Sequence, residues 1–182
     1  MKCFAMIVTS ALSIIVSSAA MADGNLRFEN PNDVTCVEDQ SNGLFKINLT
    51  KTQETIFSSG YYVPRNLAIA FEKCEQAIAV AIGYGKSITL NTNTGSVMAD
   101  VDANQQRNIL KAKPAELTCI NKDAGLYITQ VIYDGHYLCR DLEFTSYSKN
   151  WIASCNEAKR VATAVNGIVE VNLKDWSFSA KN

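Results

Sequence analysis

Cys74-Glu75-Gln76-Ala77-Ile78-Ala79-Val80-Ala81 and Cys155-Asn156-Glu157-Ala158-Lys159-Arg160-Val161-Ala162 share one frame: a cysteine, then alanines three and seven residues on. Spacings of three and four bring such residues onto one helix face, so each stretch predicts a helix with its cysteine turned inward. Upstream, Thr35-Cys36-Val37 returns as Thr118-Cys119-Ile120, and Gly43-Leu44-Phe45 as Gly125-Leu126-Tyr127. Downstream, Ile88-Thr89-Leu90-Asn91 returns as Val169-Glu170-Val171-Asn172. Four landmarks in one order, with two one-residue gaps, read as an internal duplication.

The pattern around each landmark predicts an α+β fold of two similar tandem ββαβ units, each a small antiparallel sheet packed on one helix. The first unit spans 23–101. Phe45, Ile47 and Leu49 alternate with polar residues as in a half-buried strand, and Thr55-Ile56-Phe57 supplies its hairpin partner. Leu67, Ala70, Phe71, Cys74, Ala77, Ile78 and Ala81 form the helical stripe, with Asn66 as N-cap and Gly83 and Gly85 as stop. A second hairpin joins Ile88–Leu90 to Val97–Val101 through Asn91-Thr92-Asn93-Thr94-Gly95.

In the second unit, 117–182, Asp134-Gly135 is a strong hairpin signal between strands over 126–133 and 137–144. Its helix is expected from Lys149 to Val165 with Ser148 as cap, Trp151, Ile152, Cys155, Ala158, Ala162 and Val165 inward, and Asn166-Gly167 as stop. Residues 102–116 read as a polar linker holding a short helix at Asn104–Lys111.

The cysteines follow from the address. Lys2, the apolar run Phe4–Val16 and the small residues of Ala20-Met21-Ala22 predict a signal peptide over 1–22, cleaved before Asp23, and hence a periplasmic or secreted protein. Disulfides are then the first reading of Cys36, Cys74, Cys119, Cys139 and Cys155. Spacing alone cannot select a pairing. Duplication selects Cys36–Cys74 and Cys119–Cys155, each worth about 3–4 kcal/mol by loop-closure entropy, and leaves Cys139 over, a candidate for joining two subunits. The alternative pairs Cys139 within the second unit and breaks the symmetry.

Composition excludes several functions. With 17 Lys and Arg against 18 Asp and Glu, the chain has no basic field for nucleic acid. Close CxxC pairs are absent and there is one histidine, so no metal and no cofactor is expected. Gly83-Tyr84-Gly85-Lys86-Ser87 ends like a phosphate loop but has the wrong spacing and follows a helix instead of opening one. No apolar run after residue 22 reaches membrane-spanning length.

Two functions remain. The leading one is a non-enzymatic binding protein, an inhibitor, adaptor or envelope-associated component with a protein or envelope ligand. Its candidate binding residues are Tyr61, Tyr62 and Arg65, a hot-spot composition ahead of the first helix, matched by Tyr147 and Trp151 near the second. Pro64 fixes the backbone there, so one tyrosine of the pair is expected to pack and the other to face water. The alternative is a secreted hydrolase or thiol enzyme using His136 and Cys139, the sole cysteine–histidine combination available, or the carboxylates Asp141 and Glu143. Three residues apart on a strand, His136 and Cys139 face opposite ways, and His136 beside a turn is expected to be exposed.

Overall fold

A computed structural model describes residues 24–102, 109–122, 128–141 and 146–182. Residues 1–22, the Gly125-Leu126-Tyr127 landmark and Glu143 lie outside the described residues, as do the side chains of Asp141 and Tyr147. Among the described residues, two helices and four three-stranded antiparallel sheets make a mixed α+β fold with two disulfides.

The chain runs β1 (Asn25–Phe28), a 3-10 turn, β2 (Val34–Asp39), β3 (Leu44–Leu49), β4 (Thr55–Ser58), α1 (Pro64–Tyr84), β5 (Ile88–Asn91) and β6 (Ser96–Ala99). The same order of elements then recurs as β7 (Ile109–Ala112), a 3-10 turn, β8 (Leu117–Lys122), β9 (Ile128–Tyr133), β10 (His136–Asp141), α2 (Ser146–Ala164), β11 (Ile168–Asn172) and β12 (Ser177–Lys181). The sheets are β2-β3-β4 with β1-β5-β6, and β8-β9-β10 with β7-β11-β12.

Each helix therefore accompanies two sheets, where one was expected. The strands beyond those expected are β2 in the first half and β8 and β12 in the second, together with β1 and β7, four residues each. Too short for a period of two to stand out, β1 and β7 are held by pairing: Leu26 lies opposite Leu90, and Leu110 opposite Val171. Lys111, expected to close a short helix, is in β7, because its neighbours Leu110 and Ala112 are fully buried in the sheet with β11.

Helix boundaries differ from expectation in instructive ways. Pro64, whose missing N–H costs nothing at a first position, starts α1 two residues ahead of Asn66, and Val63 is the N-cap without a side-chain bond. Ser146 starts α2, so Ser148 lies within it, while Val165 falls beyond its end and is exposed. Gly85 (φ 61°) and Asn166 (φ 52°) close the helices in left-handed conformations. Lys86 N–H bonds Ala81 O and Gly167 N–H bonds Ala162 O. Gly83 is inside α1. The hairpins also match: Asp134 and Gly135 both have positive φ, a type I′ turn, while Asn91 and Asn172 Oδ1 each accept from the backbone two residues on.

The disulfides join Cys36 to Cys74 and Cys119 to Cys155, each with 6.2 Å between Cα atoms, tying β2 to α1 and β8 to α2. Cys36 lies opposite Ile47 and Cys119 opposite Val131, so Ile47 matches Val131 and the second β-hairpin holds more residues than the glycine landmark implied. Both meanders carry a bulge at the same place. Thr55 and Phe57 pair with Asn48 and Ile47, skipping Ile56; Tyr137 and Cys139 pair with Ile132 and Val131, skipping Leu138.

One apolar cluster runs through both halves, including Val34, Ile47, Ile78, Ile88 and Leu90 with Leu110, Leu117, Val131, Leu138, Val169 and Val171. Helix α1 is its axis, buried not only along Leu67, Cys74, Ile78 and Ala81 but also at Glu75, Ala79 and Val80. A Cβ on Gly83 would lie 2.0 Å from Leu110 Cδ1 of β7, itself fully buried. In an open helix, Gly→Ala stabilises by about 0.5–1 kcal/mol. Gly83→Ala is instead expected to destabilise by about 1–3 kcal/mol, the cost of overpacking. Urea unfolding decides the sign, and a gain in stability would place α1 away from β7.

Candidate functional site

A groove of about 870 Å³ opens where the β2–β3 turn, the approach to α1 and the first turns of α1 meet. Gln40, Ser41 and Gly43 line it from the turn, Tyr61 and Tyr62 from the loop, and Pro64, Arg65, Leu67, Ala68, Ile69 and Glu72 from α1. Glu38 and Arg140 complete it. All three sequence-predicted binding residues, Tyr61, Tyr62 and Arg65, therefore border one concavity. Its size is that of a ligand cleft.

Local chemistry builds the groove. The Asp39 carboxylate accepts from Lys46 Nζ (2.8 Å), Ser41 Oγ (2.7 Å) and Asn42 Nδ2 (3.1 Å), fastening the turn. Gly43 has φ 62°, and a Cβ there would sit 2.6 Å from the Tyr61 ring, so only glycine lets the ring lie over the turn. Tyr62 N–H donates to Gly43 O at 2.8 Å. Tyr61 remains 74% exposed, while Tyr62 packs against the core, the division that the extended approach to Pro64 predicts.

The groove joins the two halves of the chain. Arg140 of β10 donates from an Nη to Glu38 Oε2 of β2 at 2.9 Å, with its guanidinium carbon 5.0 Å from the Phe71 ring centre and 5.8 Å from that of Tyr137. Beside it, α1 engages the edge of β10. Gln76 Nε2 donates to Leu138 O (3.0 Å), Tyr137 N–H donates to Glu75 Oε2 (3.3 Å) and Arg140 N–H donates to Glu72 Oε1 (3.3 Å). Sequence reading missed Glu38, Glu72, Glu75, Gln76 and Arg140. The available signal was Glu75 and Gln76 set between Cys74 and Ile78 on a helix otherwise apolar at those positions.

His136 is not the exposed turn residue expected. Its side chain is 18% exposed; Nδ1 lies 3.1 Å from Glu75 Oε2 and Nε2 3.0 Å from Asn32 Oδ1. The bulge at Leu138 brings His136 and Cys139 to one face of β10 by register, against the opposite faces expected, but both ring nitrogens are engaged by these oxygens. Cys139 is buried and forms no disulfide, so its thiol is not at the surface to bridge two copies. Trp151 stacks at a tilt on Trp176, centroids 6.0 Å apart, at the edge of the core. Gly83–Ser87 runs from the last turn of α1 through its cap Gly85 up to β5, and Ser87 Oγ donates to Asp100 at 2.8 Å.

No protein-family model, curated protein or solved structure matches the chain. No helix among the described residues is long and apolar enough to cross a membrane.

His136→Ala leaves the buried Glu75 carboxylate short of a partner and is expected to cost about 1–3 kcal/mol of stability. An exposed histidine would cost no more than about 0.5 kcal/mol, so denaturant unfolding separates the two. For Asp39, the hydrogen bonds from Lys46, Ser41 and Asn42 hold the carboxyl far below the ordinary carboxylate range. A depressed folded value contributes stability that is complete above the unfolded value near 3.9 and is lost as pH falls through the folded one. The turn is therefore expected to stay formed at pH 4, with the Asp39 carboxyl carbon titrating well below 3.9 by NMR. An ordinary midpoint would mean that these contacts do not persist in solution.

Proposed function

We propose that the chain is an exported, non-enzymatic binding protein, an inhibitor, adaptor or envelope-associated component, that holds a partner in the groove beside Tyr61, Tyr62 and Arg65. One observation carries this reading. Of the five large hydrophobic residues exposed among those described, Tyr61, Val63 and Ile69 fall within one nine-residue stretch, and Tyr61 and Ile69 line the same groove. Exposed apolar side chains gathered beside a concavity and rimmed by polar groups are what interaction sites present.

Export is supported by the pattern of residues 1–22 and by two disulfides, which persist in oxidising compartments. We also read the chain as a duplication of one unit. The repeated order of elements, the equivalent disulfides, the equivalent bulges and the equivalent helix ends support that history. A cysteine–histidine enzyme has no support in the placement of His136.

The test uses a photo-crosslinking amino acid at Tyr61, and separately at Met98, an exposed residue of β6 outside the groove lining, in the source cells. A discrete adduct from position 61 and none from 98 is expected. Tyr61→Ala is expected to remove co-purification of that partner while leaving the melting temperature unchanged. Tyr62→Ala should cost up to about 3–5 kcal/mol, the range for truncating a buried aromatic. Equal, large destabilisation by both substitutions would sink the reading.

A further inference from the structure

We propose that the groove seats an extended segment of a partner polypeptide, with an apolar side chain against Tyr61 and Ile69 and a carboxylate at Arg65. This rests on the groove being a binding site and names what it binds. Charge is the first argument. Within the groove, Glu38 is neutralised by Arg140 at 2.9 Å and Glu72 accepts the Arg140 N–H, whereas Arg65 makes no ion pair among the described residues. Arg65 also stands in the first turn of α1, which holds no acidic residue and has no capping side chain. A cation there faces the positive end of the helix dipole, an arrangement that an incoming carboxylate relieves.

The groove's mixed lining separates polypeptide from other anions. A nucleic acid requires several phosphate-directed cations, and of the two lining cations, Arg65 and Arg140, the second is already paired with Glu38. A saccharide would stack on Tyr61 but leave Ile69, which is 42% exposed, in water. A peptide offers both an aliphatic or aromatic side chain for that surface and a carboxylate within a few residues. Arg140, stacked on Phe71 and Tyr137 and bonded to Glu38, keeps the floor of the groove from adapting to charge.

The test is an array of amidated, acetylated heptapeptides with two central apolar residues flanked by Glu, Gln or Lys, probed with the disulfide-bonded protein. Fluorescence anisotropy on the best members follows. Expected are binding by the Glu set, at least tenfold weaker binding by Glu→Gln isosteres, and loss of that difference in Arg65→Ala. Arg65→Lys should retain part of it, and Tyr61→Ala should weaken both sets. An unchanged melting temperature for Arg65→Ala shows that folding is not the cause. Equal binding of Gln or Lys peptides overturns the acidic-segment proposal. No peptide binding alongside a position-61 adduct overturns it while sparing the binding groove, and absence of both discards the two together.

Discussion

An edge strand cannot be left with its backbone groups facing a hydrophobic core, and the contact of α1 with β10 is how this chain meets that constraint. β10 ends the sheet β10-β9-β8, so one side of it has no strand to bond. Helix α1 supplies the missing partners from three side chains, Glu72, Glu75 and Gln76, spaced to lie along one face. Acids are placed where N–H groups point and an amide NH2 where a carbonyl points, so the polarity of a strand edge is read by side chains. The bulge at Leu138 breaks the two-residue alternation and helps turn Tyr137 N–H, Leu138 O and Arg140 N–H to the helix side. Glu75 can be buried because His136 and Tyr137 N–H both engage it. An ionisable group so placed is tolerated only when it is paired.

The two halves use one local geometry to different ends. β4 carries the same bulge as β10, with Ile56 in the place of Leu138, yet among the described residues no helix side chain bonds its backbone. The residues of α2 that match Glu72, Glu75 and Gln76 are Ala153, Asn156 and Glu157, and all three are exposed. One half thus offers a helix face and the other a strand edge, a head-to-tail contact made once within a single chain. The asymmetry explains why α1 is buried on more sides than an amphipathic stripe describes while α2 keeps a polar outer face. It also explains Gly83: where α1 meets β7 of the other half, a side chain would occupy the space of Leu110.

What the sequence made legible was whatever local chemistry decides. The Cys-x-x-Ala-x-x-x-Ala frames, the Asp134-Gly135 turn and the alternation of Phe45 and Ile47 report backbone preference and one-sided burial, and they are where the structure has helix, hairpin and strand. What stayed illegible depends on the other half of the chain. β1 and β7 are strands only because β5 and β11 pair with them. Gly83 reads as a helix stop until its neighbour Leu110 is known, and His136 reads as an exposed turn residue until Glu75 and Asn32 are brought to it. Tyr61 and Tyr62 were legible as a pair because Pro64 sets the approach. Glu38 and Arg140, about a hundred residues apart, share a groove for reasons no short window contains.

The placement of Tyr61 is hard to account for by stability alone. A ring 74% exposed removes little apolar area from water, so burial contributes only a small part of what a packed tyrosine gains. Yet its site has demands: Gly43 must lack a side chain and hold φ 62°, and Asp39 gathers Lys46, Ser41 and Asn42 to fasten the turn beneath it. Glycine there costs entropy on folding, which the ring's own burial does not offset. A turn made rigid under an exposed ring, with a nearby arginine that makes no ion pair among the described residues and a floor fixed by an ion pair between the halves, is the arrangement that the proposed binding role would use. Rigidity before binding lowers the ordering cost at the moment of binding, so under the proposed reading the stability of the α1–β10 junction would contribute to affinity at the groove.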